Sequence, residues 1–569
     1  MIARRHNVLE KTEPRAVLKQ DASRHLPKLF VSSTLAVMLA ACGGGGSAVT
    51  SDPTIAVTAD GAVKGSASDG VVAFKGIPFA APPVGALRWR PPQPVTAWSG
   101  VRPTTSFVHD CMQTSGANSG LTVTPSEDCL YLNVWRPQNS NGKNLPVMVW
   151  IYGGAYVTGG TSMPTYDGTQ FANQGVVIVT MNYRLGRFGF FAHPALTAAA
   201  AQSGETLANY GYMDQIAALK WVQRNIANFG GDPTNVTLFG ESAGGEAVHN
   251  LLTSPQATGL FAKAIIESGN GRVNQYFGRT LSRNAKTVGD SAEEQGSAFA
   301  AGYGVAGSDA SSLQALRALS ASQVLDGLDA STLNSAHSLA TFSGSSIIDG
   351  KLVVDEPENQ YKAGQFAKVP LLLGVNNADL GFATRGLTTK EQAYAIFGPQ
   401  NLGAAAAAFD PTGTASVSTV ENQIARVITM DEPARFVART FTAQGVPTYL
   451  YRFSYVAQSI RSKVSGATHA AEIPYVFDTL PATYGAAVTS QDEQVAHSMI
   501  AYWTAFARTG SPSGAGLTAW PRYDAGLDNQ LEFTSAGTLQ INQPNPLKAQ
   551  IDLVEPLNDA NQTVNRQYQ

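Results

Sequence analysis

The chain has 569 residues, 44% of them hydrophobic and 9% aromatic, which is ample for a large core and excludes a disordered protein. Charged residues make up only 14%, and 39 Lys+Arg against 42 Asp+Glu leave a net charge of -3, which argues against a basic nucleic-acid binder. Three cysteines exclude a disulfide-dense scaffold, and no C-x-x-C pair or H-x-x-x-H spacing suggests zinc, so the chemistry is expected to need no metal and no cofactor.

The first 28 residues carry Arg4, Arg5, Lys11, Arg15, Lys19, Arg24 and Lys28, and the run from Leu29 to Ala41 is apolar or small. That run is too short to span a bilayer. It ends in Leu39-Ala40-Ala41-Cys42 followed by Gly43 to Gly46, which resembles a bacterial lipobox with Cys42 as the lipidated mature N-terminus. An ordinary secretory signal cleaved near Ala41 is the alternative. The organisation expected is a lipoprotein-type signal over 1–41, a Gly-rich tether over 42–52, and a single catalytic domain over 53–569. The expected location is outside the cytoplasm, on the outer membrane or facing the periplasm, or at the cell surface. Membrane contact is expected only through the lipid anchor, and no obligate protein partner is evident.

Past the tether, Pro146–Ile151, Val176–Met181, Val236–Phe239 and Val369–Val375 are short, continuous apolar runs rich in β-branched residues. Runs of this kind read as strands buried on both faces. Between the second and third, Asp214–Phe229 sets Ile216, Leu219, Val222, Ile226 and Phe229 on one helical stripe and stops at Gly230-Gly231. Strands alternating with helices predict an α/β sheet covered on both sides.

The run Val236–Phe239 leads directly into Gly240-Glu241-Ser242-Ala243-Gly244, and a helical stretch from Glu246 to Leu252 follows. Strand, tight turn and helix are the setting of a nucleophile elbow, in which glycines on each side relieve the crowding around an exposed serine. A serine hydroxyl needs a base to take its proton and an acid to orient that base. Of the eight histidines, His6 and His25 lie in the signal, and His109 and His193 precede the serine, against the Ser, acid, His order of such sites. His249 leaves on the helix after the elbow, His337 lies in a polar stretch, and His497 sits off the stripe of Val495, Met499, Tyr502 and Phe506. His469, in a loop before Glu472-Ile473-Pro474, remains as the general base.

For the acid, Asp379 follows the run Val369–Val375 within four residues, which puts it at a strand's carboxyl end. Asp349 competes, but Ile348-Asp349-Gly350 reads more simply as a turn. Trp150-Ile151-Tyr152-Gly153-Gly154-Ala155 follows another strand and supplies unobstructed backbone N–H groups. With the N–H of Ala243, those of Gly154 and Ala155 would make a three-donor oxyanion hole.

Several further segments carry a resemblance: Phe74-Lys75-Gly76-Ile77-Pro78-Phe79-Ala80, Ser126-Glu127-Asp128-Cys129-Leu130-Tyr131-Leu132-Asn133, Asn182-Tyr183-Arg184, Phe229-Gly230-Gly231-Asp232-Pro233 and Tyr502-Trp503-Thr504-Ala505-Phe506-Ala507-Arg508-Thr509-Gly510. With the elbow they resemble the type-B carboxylesterases, the family that also contains the cholinesterases. The resemblance implies an α/β-hydrolase fold with a large, mostly parallel central sheet covered by helices on both faces. It implies a serine carboxylesterase that hydrolyses small-molecule carboxylic esters through an acyl-serine intermediate, with Ser242, Asp379 and His469 as its triad. It also implies a Cys111–Cys129 disulfide and a buried Arg88–Glu127 ion pair. Two positions depart from the family: Asp379, in Asn377-Ala378-Asp379-Leu380-Gly381, replaces the usual glutamate, and Ala155 stands in the oxyanion loop. The alternatives are a surface lipase or polyester hydrolase acting on insoluble esters, and a non-catalytic binding relative. Cys111 to Cys129 contains no Trp, Tyr or Phe, so the expected substrate is an uncharged ester of modest size rather than a choline ester, in a pocket with apolar and aromatic walls.

Overall fold

The computed structural model describes residues 52–560, apart from 115–119, 141, 273–277, 288, 345 and 382–385. The signal, the tether up to residue 51 and Cys42 therefore lie outside the described residues.

The main sheet has eleven strands: β1 (Ser66–Ser68), β2 (Val71–Pro78), β3 (Tyr131–Pro137), β4 (Leu145–Ile151), β5 (Val177–Met181), β6 (Gly231–Glu241), β7 (Lys263–Glu267), β8 (Leu371–Asn376), β9 (Thr448–Phe453), β10 (Gln530–Phe533) and β11 (Leu539–Asn542). Their order is β11-β10-β9-β8-β7-β6-β4-β5-β3-β2-β1. Strands from β10 across to β5 run parallel, and antiparallel strands close both ends. The four apolar runs of the sequence become β4, β5, β6 and β8, all in the parallel middle, where helices cover the sheet and an unbroken apolar strand is the stable solution.

Boundaries differ from the sequence reading in instructive ways. Strand β6 starts at Gly231, well before the apolar run, because Gly231 pairs with Leu145 at the start of β4, ahead of an irregularity that precedes the Val147–Val236 pair. The helix expected from Asp214 begins earlier, as α1 (Tyr210–Asn225), and Ile226–Phe229 tighten into a 3₁₀ turn before Gly230 in the left-handed conformation. The helix after the elbow, α2 (Ala243–Thr253), starts directly behind Ser242. The longest helix among the described residues, α3 (Ser490–Thr509), opens on a Thr489–Asp492 capping box and stops at Gly510.

Two features implied by the family resemblance are present. Cys111 and Cys129 form a disulfide. Arg88 grips Glu127 with two hydrogen bonds, Nε to Oε2 at 2.8 Å and Nη2 to Oε1 at 2.5 Å, and also donates to the carbonyls of Arg317 and Leu319. That guanidinium thus ties the segment after Ala80 to a helix more than two hundred residues away in sequence.

Candidate active site

Strand β6 ends at the middle of the sheet, and Ser242 follows it with φ 56° and ψ −124°, a conformation that costs energy for any residue with a side chain. The surroundings over-determine it. A Cβ on Gly240 would lie 2.6 Å from the Gly244 backbone, and one on Gly244 only 2.0 Å from the Ile151 carbonyl. The Ser242 N–H donates to the Glu267 carbonyl at the end of β7. Glycines therefore let strand, turn and α2 pack against β4, and the serine is pushed outward.

The Ser242 Oγ lies 2.8 Å from His469 Nε2, and His469 Nδ1 lies 2.6 Å from Asp379 Oδ1. A carboxylate only accepts, so Nδ1 carries the hydrogen and Nε2 is left to accept from the serine hydroxyl. Asp379 sits just past the end of β8, as the apolar run predicts, and its second oxygen accepts from Ser268 Oγ at 2.6 Å and from the Asn376 N–H at 2.9 Å. Burial pushes this carboxyl up, but His469 and these donors outweigh it and hold it below the usual range. The competitor Asp349 instead closes its own turn, accepting from the N–H groups of Lys351 and Leu352 and from Asn209.

The other histidines among the described residues are occupied elsewhere. His249 is fully buried on α2 and bonds Tyr361 through Nδ1 at 2.7 Å. His193 caps a helix, His337 pairs with Asp326, and His497 is exposed beside Asp478.

After β4 the chain turns sharply: Gly154 has φ +113°, and Ala155 and Tyr156 are both left-handed. A Cβ on Gly153 would lie 2.7 Å from the Glu241 carbonyl and 2.9 Å from the Ser242 Cβ, so only glycine lets this loop approach the elbow. Among the described residues, the N–H groups of Gly154 and Ala155 have no carbonyl partner, and that of Ala243 is at the first position of α2, where none is available. All three residues line the same pocket of ≈ 350 Å³ as Ser242 and His469.

Sequence reasoning did not single out four residues that complete the site. Ser268 follows β7 as Asp379 follows β8, so its position at the carboxyl end of a parallel strand was the available signal. Asn376 donates to the Thr468 carbonyl and to the buried Glu472, and Asn377 accepts from the Ala467 N–H, so together they join the loops that carry Asp379 and His469. Glu241 places Oε1 3.3 Å from His469 Nε2. Burial pushes the Glu241 carboxyl up. Burial alone would depress His469, but the Glu241 and Asp379 carboxylates outweigh it and raise the imidazole above its ordinary range. The walls are apolar and aromatic in part, with Met163, Tyr166, Met430 and Ile473, yet two carboxylates, Glu241 and Glu246, also face the pocket.

A sheet parallel through its middle, with a serine elbow at the carboxyl end of a central strand, defines an α/β hydrolase. A model of the carboxylesterase family matches residues 51–401 and 407–551. The fumonisin B1 esterase of Sphingopyxis macrogoltabida is 36% identical over 492 residues, covering 84% of this chain and 86% of that one. The para-nitrobenzyl esterase of Bacillus subtilis is 35% identical over 520 residues, 87% of this chain and 98% of its own. A solved structure of PNB esterase superposes with a TM-score of 0.73 at 33% identity, covering 88% of this chain and 99% of that one. The chain belongs to the carboxylesterase family and is a carboxylic ester hydrolase.

Proposed function

We propose that Ser242 is the nucleophile of this carboxylesterase, His469 its general base and acid, and Asp379 the group that orients His469. The observation that carries the reading is the continuous pair of hydrogen bonds from Asp379 through His469 to Ser242 at the mouth of the oxyanion loop. Nε2 takes the hydroxyl proton as Oγ attacks the ester carbonyl, and Asp379 stabilises the imidazolium that forms. The N–H groups of Gly154, Ala155 and Ala243 hold the negative oxygen of the tetrahedral intermediate. Nε2 then protonates the leaving alcohol, and the same histidine activates water to release the acid from Ser242.

Relatives named for esters as different as fumonisin B1 and para-nitrobenzyl esters support a pocket that accepts modest organic esters. Diisopropyl fluorophosphate tests the mechanism: one adduct on the peptide containing Ser242, with loss of esterase activity, is expected. Stoichiometric labelling elsewhere overturns the assignment. Parallel rates on emulsified long-chain and soluble short-chain esters separate an esterase from a lipase, and preference for the soluble ester is expected.

The segment Leu39-Ala40-Ala41-Cys42 supports export and lipid attachment at Cys42, followed by a short glycine tether. Mass spectrometry of the mature N-terminus checks this: a diacylglyceryl Cys42 is expected, and an unmodified N-terminus at or near Cys42 means a plain secretory signal.

A further inference from the structure

Glu246 lies one turn along α2 from Ser242 and lines the pocket beside Tyr156. Its carboxyl differs from every other acid near the site. Glu241 is beside His469, Asp379 is bonded by it, and Glu472 is tied to Asn376. Among the described residues, no side chain donates a hydrogen bond to the Glu246 carboxyl and no cation pairs with it. The charged group acting on it is another acid, Glu356. Among the described residues, no Lys or Arg lines the pocket to neutralise it, and His469 is already shared between Glu241 and Asp379.

The polar groups around Glu246 continue the pattern. Tyr156 and Tyr212 share a hydrogen bond of 2.9 Å between their hydroxyls, and both lie close enough to Glu246 that its ionisation pushes them up. Asn250, a turn further along α2, donates to Tyr212, and its Oδ1 is buried without a partner. One hydroxyl hydrogen is spent between the two tyrosines, and Asn250 Nδ2 donates to Tyr212 and to the Glu246 main-chain carbonyl, so among the described residues none of these groups places a donor on the Glu246 carboxyl and none carries positive charge. Burial pushes the Glu246 carboxyl up to about 8, so it is mostly neutral in the empty site near pH 7. A buried carboxylate is most costly while unpaired; a cation brought in by a ligand offsets part of that cost, and the displaced proton leaves to water.

We propose that Glu246 is a specificity-determining residue that selects esters carrying a protonated amine, held against its carboxylate while the ester lies on Ser242. The inference rests on the proposed roles of Ser242 and His469. Residues four apart on a helix have Cβ atoms about 5–6 Å apart. The amine therefore belongs a short spacer from the ester, on either its acyl or its alcohol side. The sequence reading, which expected uncharged esters, had no means of finding this. Glu246 follows the elbow motif as an ordinary first-turn acid, and only the packing turns it into the pocket.

Two pairs of esters of matched shape test the proposal near pH 7: 2-(dimethylamino)ethyl butyrate against 3-methylbutyl butyrate, and methyl 4-(dimethylamino)butyrate against methyl 5-methylhexanoate. In at least one pair the ammonium ester should show the higher kcat/KM, by about tenfold or more. Glu246→Gln should reduce that ratio towards one, and Glu246→Asp should keep most of it. A wild-type ratio at or below one in both pairs overturns the inference, as does a ratio unmoved by Glu246→Gln in a variant that melts like the wild type. If the Gln variant does not fold, competition decides in the wild type: N,N-dimethylbutylamine should inhibit at least about tenfold more tightly than uncharged N,N-dimethylbutanamide, and equal inhibition overturns the inference. Hydrolysis of the uncharged esters that depends on Ser242, without any ammonium preference, defeats this inference alone. Hydrolysis that survives Ser242→Ala defeats the catalytic reading on which it rests.

Discussion

Ser242 and the Asp379–His469 pair meet within hydrogen-bonding distance, yet the chain secures the two sides by different means. The serine is held locally: β6 and α2 are consecutive, and close-packed glycines at 240 and 244 leave the turn no other shape. Asp379 and His469 are separated by 90 residues and sit on loops. Polar cross-links hold those loops: Asn376 to the Thr468 carbonyl at 2.8 Å, the Ala467 N–H to Asn377 at 2.7 Å, and the Ala378 N–H to the Ala467 carbonyl at 2.9 Å. Arg426 fastens the assembly from outside through the Asn377 carbonyl at 2.5 Å. A strained turn is thus maintained by sterics, and a long-range pair by buried hydrogen bonds. The first leaves a signature in a few adjacent residues; the second leaves scattered asparagines.

The largest effects come from removing the reacting groups on either side. Ser242→Ala should lower kcat/KM by about 10⁴-fold or more without loosening the elbow, because glycine packing rather than the hydroxyl maintains it. Circular dichroism and an ester assay on the same sample check both halves. Asp379→Asn should cost about 10⁴-fold by favouring the wrong imidazole tautomer, whereas Asp349→Asn should leave most activity because that carboxylate closes a turn and accepts from Asn209 without touching His469. The reverse result would reassign the acid.

Arg88 belongs to neither side and separates fold from catalysis. Its guanidinium is buried and grips Glu127 while serving two carbonyls, so Glu127→Ala should destabilise by about 3–5 kcal/mol. An unchanged melting temperature would mean that the pair is solvated in practice.

The cross-links of the acid and base loops should show a smaller, purely positional effect. Asn376→Ala removes the bond to Thr468 and the contact with Glu472, and a displaced base costs on the order of 10²-fold in kcat. The fall should be in kcat more than in KM, and a substitution on the elbow side, where sterics rule, should not reproduce it.

The smallest effect is a shift along the pH axis. In the proposed mechanism His469 must be neutral to accept the serine proton, and the nearby Glu241 and Asp379 charges favour the imidazolium, so its deprotonation is delayed to higher pH. Activity should therefore rise as pH climbs through the raised value. Glu241→Gln removes one of those charges and should move the rising limb of kcat/KM to lower pH. A limb that stays in place or moves upward would count against Glu241 as a source of the shift.

Much of the molecule was legible in the chain alone. The parallel strands were visible because strands buried on both faces must be apolar throughout, and the elbow because its strain demands glycine at fixed positions next to the serine. His469 emerged because every other histidine had a disqualifying position, and Asp379 because it follows an apolar strand. The tertiary structure decided the rest. Where β6 begins, with Gly231 paired to Leu145, depends on a neighbouring strand and leaves no apolar trace. Ser268, Asn376 and Asn377 are ordinary polar residues until the sheet order sets β7 beside β8 and the loops close over them. Glu241 and Glu246 are written in the sequence as acids, but their raised protonation comes from burial, which exists only after folding. Local sterics constrain neighbouring residues and are written into adjacent positions. Desolvation and long-range hydrogen bonds depend on what the fold brings near, so they become readable only in three dimensions.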